Sequence, residues 1–241
     1  MIKKTLAVLI LFLIPLMVCA EETNNKVDVQ ADEQAIEKEQ SIQSRVNNIG
    51  SKLLNSNKIE NRIVFVYDKN KKENLLTIDP TVTSREVVLY DEYYKFTQND
   101  DELAAYLARG ILTAMKSYDG FFNGYLTALQ IKAAPKKFEI VADKRAVDFM
   151  VNAGYNPLGL ITFIQKSCPQ KRFDTISTKN LASKRLAIIY EYIYTKYPYF
   201  LANNTYLTNE HYQNFLLTSL ENRRMLQEKI KTKSKKELKY E

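Results

Sequence analysis

One histidine, His211, and two cysteines, Cys19 and Cys168, are all that the 241-residue chain offers of the side chains that most often bind transition metals or form nucleophile–base pairs. A two- or three-histidine metal site needs more than His211. Any Ser-His-Asp or Cys-His arrangement would have to be built on it. Two cysteines supply neither a disulfide scaffold nor a cysteine-rich zinc site. His211 lies in Thr208-Asn209-Glu210-His211-Tyr212, a helix start, and reads as a surface or capping histidine, with a catalytic role as the less favoured reading. No glycine-rich loop of the kind that cradles phosphate is present.

The elements that would position any chemistry are those of an ordinary globular chain. Hydrophobic residues make up 45% and charged residues 26%, which excludes wholesale disorder. Six glycines and six prolines exclude a loop-dominated design. The net charge is +7, yet no recognition motif for nucleic acid is present.

The N-terminus reads as an export signal over residues 1–20. Lys3 and Lys4 open it, Thr5 to Val18 is apolar with Pro15 as an interruption, and Val18-Cys19-Ala20 resembles a small-residue cleavage site. The apolar run falls short of the ~20 residues of a membrane-spanning helix. Leu16-Met17-Val18-Cys19 also resembles a lipobox, in which Cys19 would be acylated and become the mature N-terminus. Cleavage after Ala20 is the preferred reading, and lipidation at Cys19 stays open beside it. If Cys19 leaves with the signal, Cys168 is the only mature cysteine and reads as a small core residue.

Residues 21–34 are polar and read as a disordered spacer. From about Ala35 a helical pattern places Ile36, Ile42, Val46, Ile49, Leu53 and Leu54 roughly on one face. Ile63 to Tyr67, Leu75 to Ile78 and Glu86 to Tyr90 read as strands of a small sheet, with a turn at Asp79-Pro80. Asn99 reads as the N-cap of a helix with Asp100, Asp101 and Glu102 in its first turn and an apolar face of Leu103, Leu107, Ile111, Leu112 and Met115. Further helices are expected over Phe121 to Ala133, Pro135 to Ala153, Pro157 to Ser167, Leu181 to Tyr197 and Glu210 to Lys231. Gly154 is placed to end one helix in the left-handed conformation, and Pro157 to start the next. Residues 231–241 form a basic tail that is expected to fray.

Three blocks carry a resemblance. Asp100-Asp101-Glu102-Leu103-Ala104-Ala105-Tyr106-Leu107-Ala108 resembles the start of the active-site helix of the HExxH zinc metallopeptidases, the family of the CaaX prenyl proteases, the Oma-type mitochondrial proteases and the envelope protease BepA (peptidase family M forty-eight). In that family the helix carries two zinc-binding histidines and a glutamate base, because residues four apart share a helix face. Here Arg109 stands at the first histidine, Gly110 at the glutamate and Thr113 at the second histidine. Glu139-Ile140-Val141-Ala142-Asp143 resembles the family's E-x-x-A-D, which implies a ligand position at Glu139 and a supporting carboxylate at Asp143. Ala153-Gly154-Tyr155-Asn156-Pro157 is similar to a downstream family segment. Ser177-Thr178-Lys179-Asn180, followed by Arg185, keeps the spacing of a third block, with Lys179 in place of a histidine and Arg185 retained. The resemblance spans roughly residues 40 to 200.

It implies an α+β, mostly helical fold: one zincin-like domain over 35–230, with a small sheet preceding the active-site helix. It also implies a lost metal centre. A catalytic zinc needs about three protein ligands and an open position, and only Glu139 remains. Thr113 is a poor ligand, Arg109 does not lose its proton, and Gly110 has no base. No cofactor is therefore expected, although the family uses zinc. An unpaired buried carboxylate is costly, so the preferred reading is that the Arg109 guanidinium takes the metal's place and bonds Glu139, Asp143 or both, with the two acids facing solvent on a polar helix side as the other reading.

The expected function is that of an exported, inactive metallopeptidase-like protein in the bacterial periplasm or cell envelope, binding a peptide or protein partner. The alternative is an active metalloendopeptidase with an atypical metal site. The tyrosines at 190, 192, 194, 197 and 199 read as helix packing, with a peptide groove as the other reading. The lysine run 231–239 reads as a solvated tail, with contact to anionic lipid or acidic polymers as the other reading.

Overall fold

The structure, a computed structural model, describes residues 34–69, 85–116, 135–167 and 181–240. The export signal with Cys19, most of the spacer, the Leu75 to Ile78 strand and its turn, the helix at 121–133, Cys168 and Lys179 lie outside the described residues. The chain divides into two compact units, Met1–Ser44 and Arg45–Glu241. In the first, residues 34–44 are helical.

The second unit begins with α1, over 45–56, whose Val46, Ile49 and Leu53 are buried. Two strands follow, β1 (Val64–Asp68) and β2 (Glu86–Tyr90), both built from β-branched and aromatic residues. They pair in parallel with Val66 opposite Val88. Phe65, Val87 and Leu89 are buried. A single helical turn, α2 (Asp91–Tyr94), continues directly from β2. The remaining described elements are helices: α3 (Asp100–Lys116), α4 (Pro135–Asn152), α5 (Leu158–Ser167), α6 (Leu181–Lys196), α7 (Tyr199–Ala202), α8 (Glu210–Thr218) and α9 (Leu220–Lys231). The fold is α+β and mostly helical.

α3 is the central element. The Asn99 side chain accepts the Glu102 N–H and so caps the helix start. The sequence suggests one apolar face, but every residue from Glu102 to Ala108 is buried. The reason is that α3 is enclosed by β2, α4 and α5 together, and Ala104, Ala105 and Ala108 let neighbouring backbones approach on the sides that Leu103 and Leu107 do not fill. Leu112 and Met115, further along, are only partly buried. Burying side chains such as Leu103, Leu107 and Phe163 stabilises the fold by roughly 1.5–3 kcal/mol each.

The α4–α5 turn follows from its residues. Gly154 sits at φ +76°, the Tyr155 N–H reaches back to the Met150 carbonyl and the Gly154 N–H to that of Val151, which closes the end of α4. Asn156 then accepts the Leu158 N–H at the start of α5. Asp101 accepts the Asn156 N–H and the Tyr206 hydroxyl, tying α3 to this turn and to the segment before α8. Burial pushes its carboxyl above the usual range.

Two expectations are corrected. The helix expected over Glu210 to Lys231 breaks at Ser219, where the Thr218 and Ser219 hydroxyls donate to the carbonyls of Asn214 and Phe215 and bend the chain. Arg223 covers the neighbouring Leu216 carbonyl. The tail, as far as Tyr240, is folded back: Lys233 takes a left-handed conformation at φ +52°, the chain turns back, and Tyr240 is buried with its hydroxyl donating to Glu191 at 2.7 Å.

Candidate functional site

Four residues that the motif comparison singles out, Arg109, Glu139, Asp143 and Arg185, meet in one buried ionic cluster. α3 supplies Arg109, α4 supplies Glu139 and Asp143 one helical turn apart, and α6 supplies Arg185. Their exposures are 4%, 3%, 0% and 3%. Arg109 donates from Nη1 to Asp143 Oδ1 and from Nη2 to Glu139 Oε2, the latter at 2.6 Å. Arg185 grips Asp143 with two donors, Nε to Oδ2 at 2.7 Å and Nη2 to Oδ1 at 2.9 Å. Its Nη2 also lies 3.4 Å from Glu139 Oε2. The four groups balance in charge, and charge-assisted hydrogen bonds of this forked kind are the strong ones. The pairing expected between Arg109 and the two acids is present, and Arg185 shares it.

The zinc site that the resemblance implies does not fit these residues. Both oxygens of Asp143 accept from guanidinium groups, and Glu139 Oε2 accepts from Arg109. Arginine N–H groups therefore point where a cation would need bare oxygen lone pairs. Thr113 directs its hydroxyl to the Arg109 carbonyl of its own helix, at 3.4 Å. Among the described residues no group of three or more His, Cys, Asp and Glu is placed to hold a metal ion.

Gly110 is explained by its neighbour. A Cβ built at this position would run into Cγ1 of Val87 on β2, a residue only 2% exposed. The catalytic glutamate of the resembled motif would thus collide with a core valine. Gly110→Ala is expected to destabilise by about 1–3 kcal/mol through overpacking. Adding Val87→Ala should recover part of that loss, so that the double variant is more stable than the two single costs add up to. Urea unfolding of the three variants measures this, and strict additivity would show that Val87 is not what excludes the side chain.

His211 sits in the first turn of α8, where Asn209 caps its N–H and its Nε2 lies 3.2 Å from the neighbouring Glu210. The tyrosines between 190 and 199 divide. Tyr192 and Tyr197 donate to Asp148 on α4, which also receives Lys196. Tyr190 packs on Phe215, and Tyr199 is 68% exposed.

Sequence reasoning missed a second ionic cluster, at the start of α3. Glu102 is 0% exposed and accepts the Gln98 N–H at 2.7 Å and the Thr162 hydroxyl at 2.7 Å. Lys166, whose side chain is 4% exposed, lies 2.6 Å from its Oε1. The available signal is spacing: Glu102 precedes Arg109 by two helical turns, and Thr162 and Lys166 are four apart on α5.

A cavity of about 730 Å³ opens between α3, α4 and the chain after α1, lined by none of the four clustered residues. Leu112 and Met115 line it from α3, Val141, Arg145 and Phe149 from α4, and residues 57–61 complete it. Val141 is 59% exposed, although it lies between Glu139 and Asp143 in sequence.

No family model, no curated protein and no solved structure matches the chain. Among the described residues no helix is long and apolar enough to cross a membrane.

Proposed function

We propose that the chain is a degenerate, non-catalytic relative of the HExxH zinc metallopeptidases, exported to the cell envelope, where it binds a peptide or protein partner. The observation that carries the reading is the pairing of Arg109 and Arg185 with both acids of the second motif block. A fixed cation on the motif helix and retained carboxylates on its partner make sense together if guanidinium has replaced a metal. Both carboxylates of the cluster accept from guanidinium groups, and arginine remains charged. The cluster holds α3, α4 and α6 together and does no chemistry. The cavity between α3, α4 and the chain after α1, with exposed Val141 and apolar Leu112 and Met115, supports a role in binding. The N-terminal segment supports export, with acylation of Cys19 as a route to the membrane surface.

Metal analysis of the purified chain, combined with a casein-cleavage assay, tests the reading. The expected result is zinc far below one equivalent and no cleavage above a protein-free control. One equivalent of zinc that Glu139→Gln removes, together with cleavage, would overturn it.

A further inference from the structure

We propose that residues 231–239 form a fixed basic strap that seats the protein on an anionic lipid surface. The segment carries five lysines, Lys231, Lys233, Lys235, Lys236 and Lys239, against the single acid Glu237. All five are exposed, and none has an ion-pair partner among the described residues. Lys229 is different in kind, because Glu191 neutralises it at 2.9 Å.

The strap is closed at both ends. At its start the Ser234 and Lys233 N–H groups return to the carbonyls of Lys229 and Ile230 and end α9. At its far end the Tyr240 ring is buried and its hydroxyl shares the Glu191 carboxylate with Lys229. The lysines are thus held on one loop. Between the loop and α9 lies a cavity of about 560 Å³, bordered by Thr232, Ser234, Lys236 and Lys239, with Glu228 and Glu237 also in its wall. The Thr232 hydroxyl donates to the Glu228 carbonyl of its own helix, so the Ser234 hydroxyl and the Lys236 and Lys239 ammonium groups are the donors that suit a phosphate headgroup.

The chemistry favours lipid over other polyanions. Lysine is a compact point charge that meets phosphate without the planar fork arginine offers a base edge. The strap carries no aromatic residue, and the Tyr240 ring that follows it is buried, so no platform for stacking bases is presented. Ile230, 38% exposed at the head of the strap, adds an apolar contact of the kind that interfacial segments use.

Sedimentation of the full chain with phosphatidylcholine vesicles, with and without phosphatidylglycerol, tests the proposal at low salt and at about 1 M salt, where the screening length falls to about 3 Å. The chain is expected to sediment with the anionic vesicles and to be released by salt. Replacing Lys233, Lys235, Lys236 and Lys239 together by Gln should weaken this binding by at least about tenfold. Replacing the equally exposed Lys52, Lys58, Lys69 and Lys95 should weaken it much less. Because the strap lysines are solvated, circular dichroism of that variant should match the parent. Absence of binding, equal binding to neutral vesicles, attachment insensitive to salt, equal effects of the two quadruple variants, or binding of a single-stranded oligonucleotide in place of vesicles would each overturn the proposal.

Discussion

Asp143→Asn is expected to destabilise the fold by about 3–5 kcal/mol, the cost of breaking a buried ion pair by removing one partner. Asp143 is fully buried and receives donors from both Arg109 and Arg185. Asparagine keeps the size, but it turns one acceptor into a donor facing guanidinium groups and leaves the cluster with a net positive charge. That charge has no escape, because arginine holds its proton throughout the accessible range. A total stability of about 5–15 kcal/mol is normal for a domain, so this one substitution removes a large share. Chemical denaturation at several pH values is the measurement, and a flat penalty across them is the expected form.

Arg109→Met separates the electrostatic account from simple loss of packing. It leaves Glu139 and Asp143 with Arg185 alone, a surplus of one negative charge that a proton can neutralise. The folded variant then binds a proton that its unfolded chain does not hold at mildly acidic pH. Stability relative to the parent must therefore rise as pH falls from neutral towards 5. A penalty independent of pH would assign the effect to lost contacts of the guanidinium. Equal pH profiles for Arg109→Met and Asp143→Asn would contradict the charge balance described for the cluster.

What could be read in the sequence, and what could not, follows from the range of each signal. The strands at Val64–Asp68 and Glu86–Tyr90 and the helix cap at Asn99 are local: β-branched runs and a capping residue act within a few positions. Gly154 is local as well, since one residue at positive φ ends α4. Arg109, Glu139, Asp143 and Arg185 are spread over 77 positions, and only a resemblance between spaced motifs links them in the sequence. The Ser219 break was hidden because the apolar pattern runs through it, while two consecutive hydroxyl side chains bending back to the chain leave no mark on periodicity. The pinned tail was hidden for the opposite reason. A lysine-rich run reads as solvated, and it is solvated; the anchor is one residue, Tyr240, whose partner Glu191 lies 49 positions away. In the sequence Glu102 signals only the dipole of its own helix, whereas its burial is set by α5, an element that packs against α3 only in the folded chain.

Glu102→Gln is the second large expected loss, again about 3–5 kcal/mol, and its pH dependence should run the other way. The substitution leaves the Lys166 ammonium buried beside a neutral amide, with the Gln98 side-chain oxygen at 3.1 Å as its remaining polar support. Lysine, unlike arginine, can give up its proton when buried. The folded variant then holds fewer protons than the unfolded chain in mildly alkaline solution, so its stability rises with pH. The double variant Glu102→Leu, Lys166→Met removes both charges and keeps apolar volume; Thr162 retains the Gly159 carbonyl as an acceptor at 3.1 Å. It should recover most of the loss, and a double variant no more stable than Glu102→Gln would show that the pair is not the source of the penalty. The three profiles together form one argument about α3. Its buried ionic groups lie seven residues apart, about 10.5 Å along the axis. Glu102 fixes the start of the helix to α5, and Arg109 fixes its middle to α4, whose Asp143 in turn holds Arg185 of α6. A helix apolar on nearly every side could otherwise slide or rotate among its neighbours at little cost. These two charged attachments set its register, and with it the position of the surface that Leu112 and Met115 present to the cavity.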